Sequence, residues 1–332
     1  MKILIKDTKK IFIAGGTGMV GSSLKRTFLK KFNESNSIHE KILTPSRKEL
    51  NLLDSVMVEK WFKINKPEIV ILAAAKVGGI LANSKYPADF IIQNLIIQNN
   101  VIQSSFSNNV KKFVFLGSSC IYPKFSSQPI KEEYLLKDYL EPTNEAYAIA
   151  KIAGLKLVES LRIQYGFNAI SLMPSNLYGP NDNYHPQNSH VMAALIRKFL
   201  IAKEKNLSTV SCWGSGNAER EFMHVDDLSE AIIFCIENWH PIANNAPKDI
   251  NGKILNHLNI GTGKDIKIKK LAKTISKIIN YKGDIKWDKS KPEGTPKKLL
   301  DVSRINKLGW KANIDLHEGI QRTIKNLDTT SL

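Results

Sequence analysis

Tyr147 and Lys151 stand four residues apart in the run Glu141-Pro-Thr-Asn-Glu-Ala-Tyr147-Ala-Ile-Ala-Lys151. On a helix, side chains at i and i+4 share one face, so the ammonium can sit near the phenol. A free phenol has a pKa of about 10, and a neighbouring cation favours its phenolate and lowers that value. The spacing therefore predicts a general acid. A packed Tyr and a solvated Lys give the same spacing on any amphipathic helix, so the pair needs company. It has it upstream, in Lys111-Lys-Phe-Val-Phe-Leu-Gly117-Ser118-Ser119-Cys120-Ile-Tyr122-Pro123. The apolar run reads as a buried strand that ends in small hydroxyl residues. Ligands bind at strand ends in a parallel α/β sheet, which puts Ser118 where a substrate carbonyl could lie.

A third element opens the chain. Lys10-Ile-Phe-Ile-Ala14 leads into Gly15-Gly16-Thr17-Gly18-Met19-Val20-Gly21 and then into Ser22-Ser-Leu-Lys-Arg-Thr-Phe-Leu. This is strand, glycine turn, helix, the arrangement in which backbone can approach a pyrophosphate and helix N-terminal amides meet its charge. The choice of dinucleotide falls to the end of the second strand, where a carboxylate would bond the ribose 2′-hydroxyl of NAD. Lys41-Ile-Leu-Thr-Pro45 runs instead into Ser46-Arg47-Lys48. Cations there attract a 2′-phosphate and a carboxylate would repel it, which favours NADP over the reading that both side chains are simply solvated.

The elements needed to hold these groups alternate along the first half. Strands are expected near 10–14, 41–45, 68–73, 112–117 and 168–173, and helices near 19–32, 54–64, 86–108 and 143–165. That order predicts an α/β fold, a doubly wound parallel sheet. After Pro174-Ser175-Asn176-Leu177-Tyr178-Gly179-Pro180 a polar loop precedes a helix near 189–204 and a strand near 208–213. His224-Val-Asp226-Asp227 looks like the cap of a helix returning to the sheet. The expected division is a dinucleotide-binding domain over 8–178, with a return segment at about 222–256, and a smaller α/β substrate-binding lobe from 179–221 and 257–330.

Composition suits a soluble enzyme of 332 residues. The apolar patch near the start is too short for a signal sequence, no apolar run reaches membrane-spanning length, and a cytoplasmic location is expected. Cys120, Cys212 and Cys235 lack paired spacing, which argues against disulfides and a cysteine-rich zinc site; no metal is expected. A net charge of +17 raises the question of nucleic acid. The lysines are scattered, however, and Lys264-Asp-Ile-Lys267-Ile-Lys269-Lys270 reads as the wet face of a helix, so no nucleic-acid partner is expected. The basic bias also suits anionic cofactors and nucleotide substrates.

Together these motifs resemble the GDP-L-fucose synthase family of extended short-chain dehydrogenases/reductases. The resemblance is carried by the glycine turn, Gly117-Ser-Ser-Cys-Ile-Tyr-Pro123, the Tyr147/Lys151 run, Asn176-Leu-Tyr-Gly-Pro-Asn-Asp-Asn183, His185-Pro-Gln-Asn-Ser-His190, Trp213-Gly-Ser-Gly216, Arg220-Glu-Phe-Met-His-Val-Asp-Asp227 and Lys291-Pro-Glu-Gly-Thr-Pro-Lys-Lys-Leu-Leu-Asp301. It spans about residue 10 to beyond 310. It implies epimerisation of GDP-4-keto-6-deoxymannose at sugar carbons 3 and 5, then reduction of the C4 ketone by NADPH.

By that resemblance Cys120 is the base that removes the C3 and C5 protons and His190 the acid that returns them from the opposite face. Ser118 and Tyr147 bind the C4 oxygen, and Tyr147, helped by Lys151, protonates it. Alone, a free Cys usually packs in a core and a helix-start His has no special role; their co-occurrence with Ser118 supports the assignment. The cofactor would lie along Gly15, Gly16, Thr17, Gly18, Met19, Val20 and Gly21, then Arg47, Lys48, Glu49, Leu50, Asn51 and Leu52. It would continue past Leu116, Gly117, Ser118 and Ser119 to Lys151, Pro174, Ser175, Asn176, Leu177 and His190. Relatives often carry an Arg in the glycine turn where this chain has Thr17, which leaves Arg47 as the main candidate for the adenosine phosphate. Lys198, Arg220 and Lys298 can supply charge for the diphosphate, Arg being the better bidentate partner. Trp213 could cover the base or sugar, and Glu293 is a substrate contact by family analogy alone. The family is commonly dimeric, and helices 86–108 and 143–165 could form a four-helix interface. Two other readings share the scaffold. A 4-ketoreductase that skips epimerisation would not need Cys120 and His190, and a non-catalytic NADP-binding regulator would usually have lost Tyr147 or Lys151.

Overall fold

Five short runs are buried along their whole length, as strands covered on both faces must be. The computed structural model describes residues 5–31, 40–291 and 294–327. The runs are β1 (Ile11–Ala14), β3 (Ile69–Leu72), β4 (Lys112–Leu116), β5 (Ala169–Pro174) and β9 (His257–Ile260); with β2 (Ile42–Leu43) they form a six-stranded sheet in the order β2-β1-β3-β4-β5-β9. Every neighbouring pair is parallel. Helix α1 (Met19–Lys31) covers one face, where Leu24 and Phe28 join Ile232, Ile236, Ile305 and Trp310. Helices α2 (Ser55–Asn65), α3 (Ile80–Lys85), α4 (Pro87–Ser107) and α5 (Glu145–Tyr165) follow, and α2, α4 and α5 bury Phe62, Ile102, Leu155 and Val158 against the other face.

The doubly wound sheet expected from the alternating pattern is present, with three differences. The second strand is only two residues long, because Pro45 has no N–H to extend the ladder. The helix expected over 86–108 forms as the single helix α4 over 87–107, and a short helix that was not expected, α3, precedes it. Pro87 takes the first position of α4, and Tyr86 before it has φ −127° and ψ 48°, outside the helical region that a following proline disfavours. The third difference moves a boundary. Residues 257–260, assigned in sequence to the lobe, are the sixth strand of the sheet, pairing Ser171 with His257 through Pro174 with Ile260. A strand of four residues after an irregular loop has too little periodicity to reveal which sheet it joins.

The smaller sheet centres on β8 (Glu219–His224), paired with β6 (Asn176–Tyr178), β10 (Asp265–Lys267) and β12 (Lys297–Lys298), while β7 (Thr209–Trp213) pairs with β11 (Asp284–Asp288). Helices α6 (Val191–Glu204), α8 (Ile268–Ile279) and α10 (Leu316–Lys325) cover this lobe around Phe199, Phe222, Leu271 and Ile275. Helix α7 (Val225–Asn238) crosses back to the main sheet, capped by the His224 side chain, which accepts from the Asp226 amide at 3.2 Å. The expected capping role of His224 is thus observed. The short α9 (Ser303–Leu308) packs on β9. One buried carboxylate stitches the lobe together. Glu221 accepts from the amides of Thr262, Gly263 and Leu300 at 2.6, 2.8 and 2.9 Å. Leaving three such buried donors unpaired would be costly, so this carboxylate fixes where β12 lies. Among the described residues no helix is long and apolar enough to cross a membrane, and no His, Cys, Asp and Glu group could hold a metal ion.

Candidate active site

Strand β4 ends at Leu116, and the chain turns through Gly117 into a short 3-10 helix, Ser119–Ile121. Gly117 lies against Met173, so a side chain there would strike the thioether of the neighbouring strand. Ser118 caps the turn, its Oγ accepting from the Cys120 amide at 3.1 Å. Cys120 is half-buried, and two groups from distant segments face its sulfur: Asn144 Nδ2 at 3.5 Å and Lys298 Nζ at 3.9 Å. Cys212 and Cys235 are buried free thiols.

Helix α5 brings Tyr147 to this turn. Its close packing on α4 depends on Gly154, where a Cβ would meet Phe115 and Gln98, and on Gln98 Nε2 donating to the Ala150 carbonyl at 2.7 Å. Phe90 of α4 meets the Tyr147 ring edge-on at 6.4 Å. The Ser118 side chain hydrogen-bonds the phenol, and Cys120 lies close enough to act on it electrostatically. The phenol's pKa is pushed up, first by burial and then by Cys120, with Ser118 opposing. This differs from the lowering that the Tyr-Lys spacing predicts. Burial is the larger effect here; buried Lys151 donates to the Leu116 carbonyl at 2.8 Å, and its Nζ sits 5.9 Å from the centroid of the Tyr147 ring. Burial pushes Lys151 itself down to about 8.

His190 ends the 181–190 loop and opens α6, with its side chain capping nothing and exposed to solvent. Crowding by surrounding protein lowers its pKa. The loop before it docks on the segment after β3, where the Gly79 amide donates to the Asn188 carbonyl at 2.9 Å.

The glycine turn is built for close approach. Gly15 has φ +87°, and a Cβ on it would stand 2.9 Å from the Ala74 backbone. A Cβ on Gly21 would run into the Gly15 carbonyl, so α1 can start this close to β1 only with glycine there. Thr17 and Gly18 are exposed at the mouth, with Met19 and Val20 half-buried behind them. Arg47 and Lys48 are exposed beyond β2, and neither makes an ion pair with a described residue. Glu49 turns back, accepting from the Ser46 amide at 2.7 Å, and Leu50 is buried in the core beneath. Asn51 accepts from the Leu53 amide at 3.2 Å, and the Leu52 carbonyl accepts from Asn100 at 2.9 Å. At the end of β5, Pro174 and Ser175 are buried, Ser175 Oγ has no hydrogen-bond partner, and Asn176 donates to the Glu221 carbonyl at 2.8 Å, with Leu177 half-buried beside it. Ser119 is also buried. The cradle and the orphan hydroxyl suit a dinucleotide laid across the carboxyl ends of the strands.

In the lobe, Lys198 donates to the Ser211 carbonyl at 2.7 Å and stands 5.4 Å over the Trp213 ring, while Lys291 approaches the same ring at 6.0 Å. Burial lowers Lys198. Arg220 of β8 lies in register with Lys298 of β12. Lys198 and Trp213 therefore lie together, while Arg220 stands beside Lys298 on the neighbouring strand. Lys298 is different: read from sequence as a diphosphate contact, it faces the Cys120 sulfur. Glu293 lies outside the described residues. Asn144 was legible only as part of the Tyr147 motif, and its contact with Cys120, across the 123–141 excursion, had no sequence signal.

The NAD dependent epimerase/dehydratase family matches residues 11–251. The chain is 51% identical over 317 residues to the GDP-L-fucose synthase of Escherichia coli strain K12, covering 95% of each chain. Among solved structures it is similar to a GDP-6-OMe-4-keto-L-xylo-heptose reductase from C. jejuni, at 38% identity with a TM-score of 0.87 and 98% of each chain covered. A GDP-mannoheptose C4 reductase from Campylobacter jejuni with NADP bound gives 38% identity and a TM-score of 0.83, with 96% of this chain and 98% of that one covered. The chain belongs to the NAD dependent epimerase/dehydratase family and, within it, to the GDP-L-fucose synthases.

Proposed function

We propose that this enzyme epimerises GDP-4-keto-6-deoxy-D-mannose at C3 and C5 and then reduces C4 with NADPH to give GDP-L-fucose. The observation that carries the reading is the convergence of Ser118, Tyr147 and Cys120 on one strand end, with Lys298 and Asn144 on the sulfur. Protons beside a ketone are acidic because the enolate spreads onto oxygen, so one site holding a base, an acid and enolate donors can invert both carbons.

Cys120 Sγ takes the proton from C3 or C5, and the Lys298 ammonium stabilises negative charge on that sulfur. The Ser118 and Tyr147 hydroxyls donate to the C4 oxygen, where the enolate charge collects. His190 returns a proton to the other face of the same carbon. Gly15 to Gly21, Arg47, Ser175 and Lys151 would hold NADPH, which when bound would supply hydride for C4. Tyr147 then gives its proton to the C4 oxygen; Lys151, charged below about pH 8, offsets the phenolate left behind. Lys198, Arg220 and Trp213 would bind the GDP moiety, the cations on the diphosphate and the indole on an aromatic or sugar face. The NADP-bound Campylobacter relative supports the cofactor assignment. The test is NADPH oxidation with this ketone, and no oxidation would sink the reading.

A homodimer fits the surface. Ile92 and Ile96 of α4, and Ile149 and Ile163 of α5, are exposed on the two helices expected to pair with a second copy. A cytoplasmic setting suits three free thiols.

A further inference from the structure

His190 must present its ring at one face of the sugar, yet it stands at the end of a polar loop with no secondary structure of its own. A succession of side-chain to backbone bonds shapes that loop. Asp182 Oδ1 accepts from the Asn183 amide at 2.7 Å, and Asn183 Oδ1 accepts from the His185 amide at 3.0 Å. The His185 ring then takes two donors at once, its Nδ1 lying 3.2 Å from the amides of both Gln187 and Asn188. Only a ring with an unprotonated Nδ1 can accept both, so the structure requires the neutral tautomer that carries its proton on Nε2.

The other side of the turn has a rigid dock. The Asn188 carbonyl accepts from the Gly79 amide at 2.9 Å, and a Cβ on Gly79 would stand 2.5 Å from the Ser189 carbonyl oxygen. Buried Asn83 holds this dock from below, its Nδ2 donating to the carbonyls of Gly78 and Gly79 at 2.8 and 3.1 Å. The dock is continuous with the Tyr147 helix through Phe90, which a Cβ on Gly78 would also approach. Asn181 Nδ2 ties the loop's beginning to Ser22 Oγ of α1 at 3.0 Å.

We propose that His185 is a positioning residue for His190: its Nδ1, by accepting the Gln187 and Asn188 amides, fixes the turn that seats Asn188 on Gly79 and so aims the acid at the sugar. This rests on the acid role of His190 in the reading above. An acid displaced by an ångström loses its line to the carbon, a defect of roughly a hundredfold in a proton-transfer step.

The experiment measures inversion and solvent-deuterium exchange at C3 and C5 by NMR, with NADP+ replacing NADPH so that hydride transfer does not intervene. His185→Ala should slow inversion by roughly 10- to 100-fold while leaving the KM for the GDP-sugar within about threefold. His185→Asn, whose Oδ1 can occupy the place of Nδ1, should recover most of the rate. His185→Gln sets its acceptor one carbon farther out and should stay slow; it carries the test if the Ala variant folds poorly. His190→Ala is the control for the underlying role. Inversion lost in His190→Ala but unchanged in His185→Ala would overturn the positioning role alone, as would an Asn variant no better than Ala. Inversion unchanged in His190→Ala would overturn the acid assignment, and the positioning role with it.

Discussion

The Lys298 ammonium stands 3.9 Å from the Cys120 sulfur, bridging residues 178 apart in sequence. Strand β12 places it there, in register with Arg220 of β8. The charge is half-exposed, and solvent screening leaves about 1–2 kcal/mol of attraction for a negative sulfur.

Lys298→Met should therefore slow deuterium exchange at C3 and C5 by roughly tenfold or somewhat more, with NADPH binding unchanged. If the variant raises only the KM for the GDP-sugar and exchanges at the normal rate, Lys298 is a diphosphate ligand, as its sequence position suggests.

Lys151 gives the reduction a basic limb. Burial disfavours its charged form and pushes its pKa down to about 8, so the cation is present below that pH and lost above it. Single-turnover hydride transfer should fall about tenfold per pH unit once the medium passes this value, and Lys151→Met should be slow at every pH without the limb. A rate that climbs steadily from pH 7 to 10 contradicts the assignment.

Arg47 is exposed beyond β2 with no ion pair to a described residue, which leaves its charge available to a 2′-phosphate. Arg47→Ala should raise the KM for NADPH by roughly tenfold and barely change that for NADH, as loss of one charge-assisted contact implies. Equal effects on both cofactors would remove Arg47 from phosphate recognition.

On α4, Ile96 is exposed, on a helix proposed to pair with a second copy. Ile96→Glu would put like charges face to face in a symmetric interface and should yield a monomer in sedimentation velocity at micromolar concentration. A wild-type chain already monomeric there would refute the dimer.

Much of this was legible from sequence because it is local. The glycine turn, the strand ending at Ser118 and the Tyr147 helix each carry their own periodicity and punctuation, and the structure forms each near the expected residues. What escaped depends on approach between distant segments. Nothing near Lys298 says that it meets Cys120, and nothing near Glu221 says that it gathers three amides from 262, 263 and 300. The phenol of Tyr147 illustrates the limit of spacing itself. Four residues apart put Lys151 on the right face, but the Leu116 carbonyl decides where its ammonium points. Likewise the strand at 257–260 is too short to announce its sheet, and only its pairing with β5 settles it.

The central claim is that one site both inverts and reduces, with Cys120 as the base. The most direct measurement is turnover of GDP-4-keto-6-deoxymannose with NADPH in deuterated water, with the product examined by NMR for the native chain and for Cys120→Ser. The account predicts fucose-configured product carrying deuterium at C3 and C5, and a Cys120 variant in which inversion suffers far more than hydride transfer. Cofactor oxidation without that deuterium, or a Cys120 variant that inverts both carbons at the native rate, would contradict it.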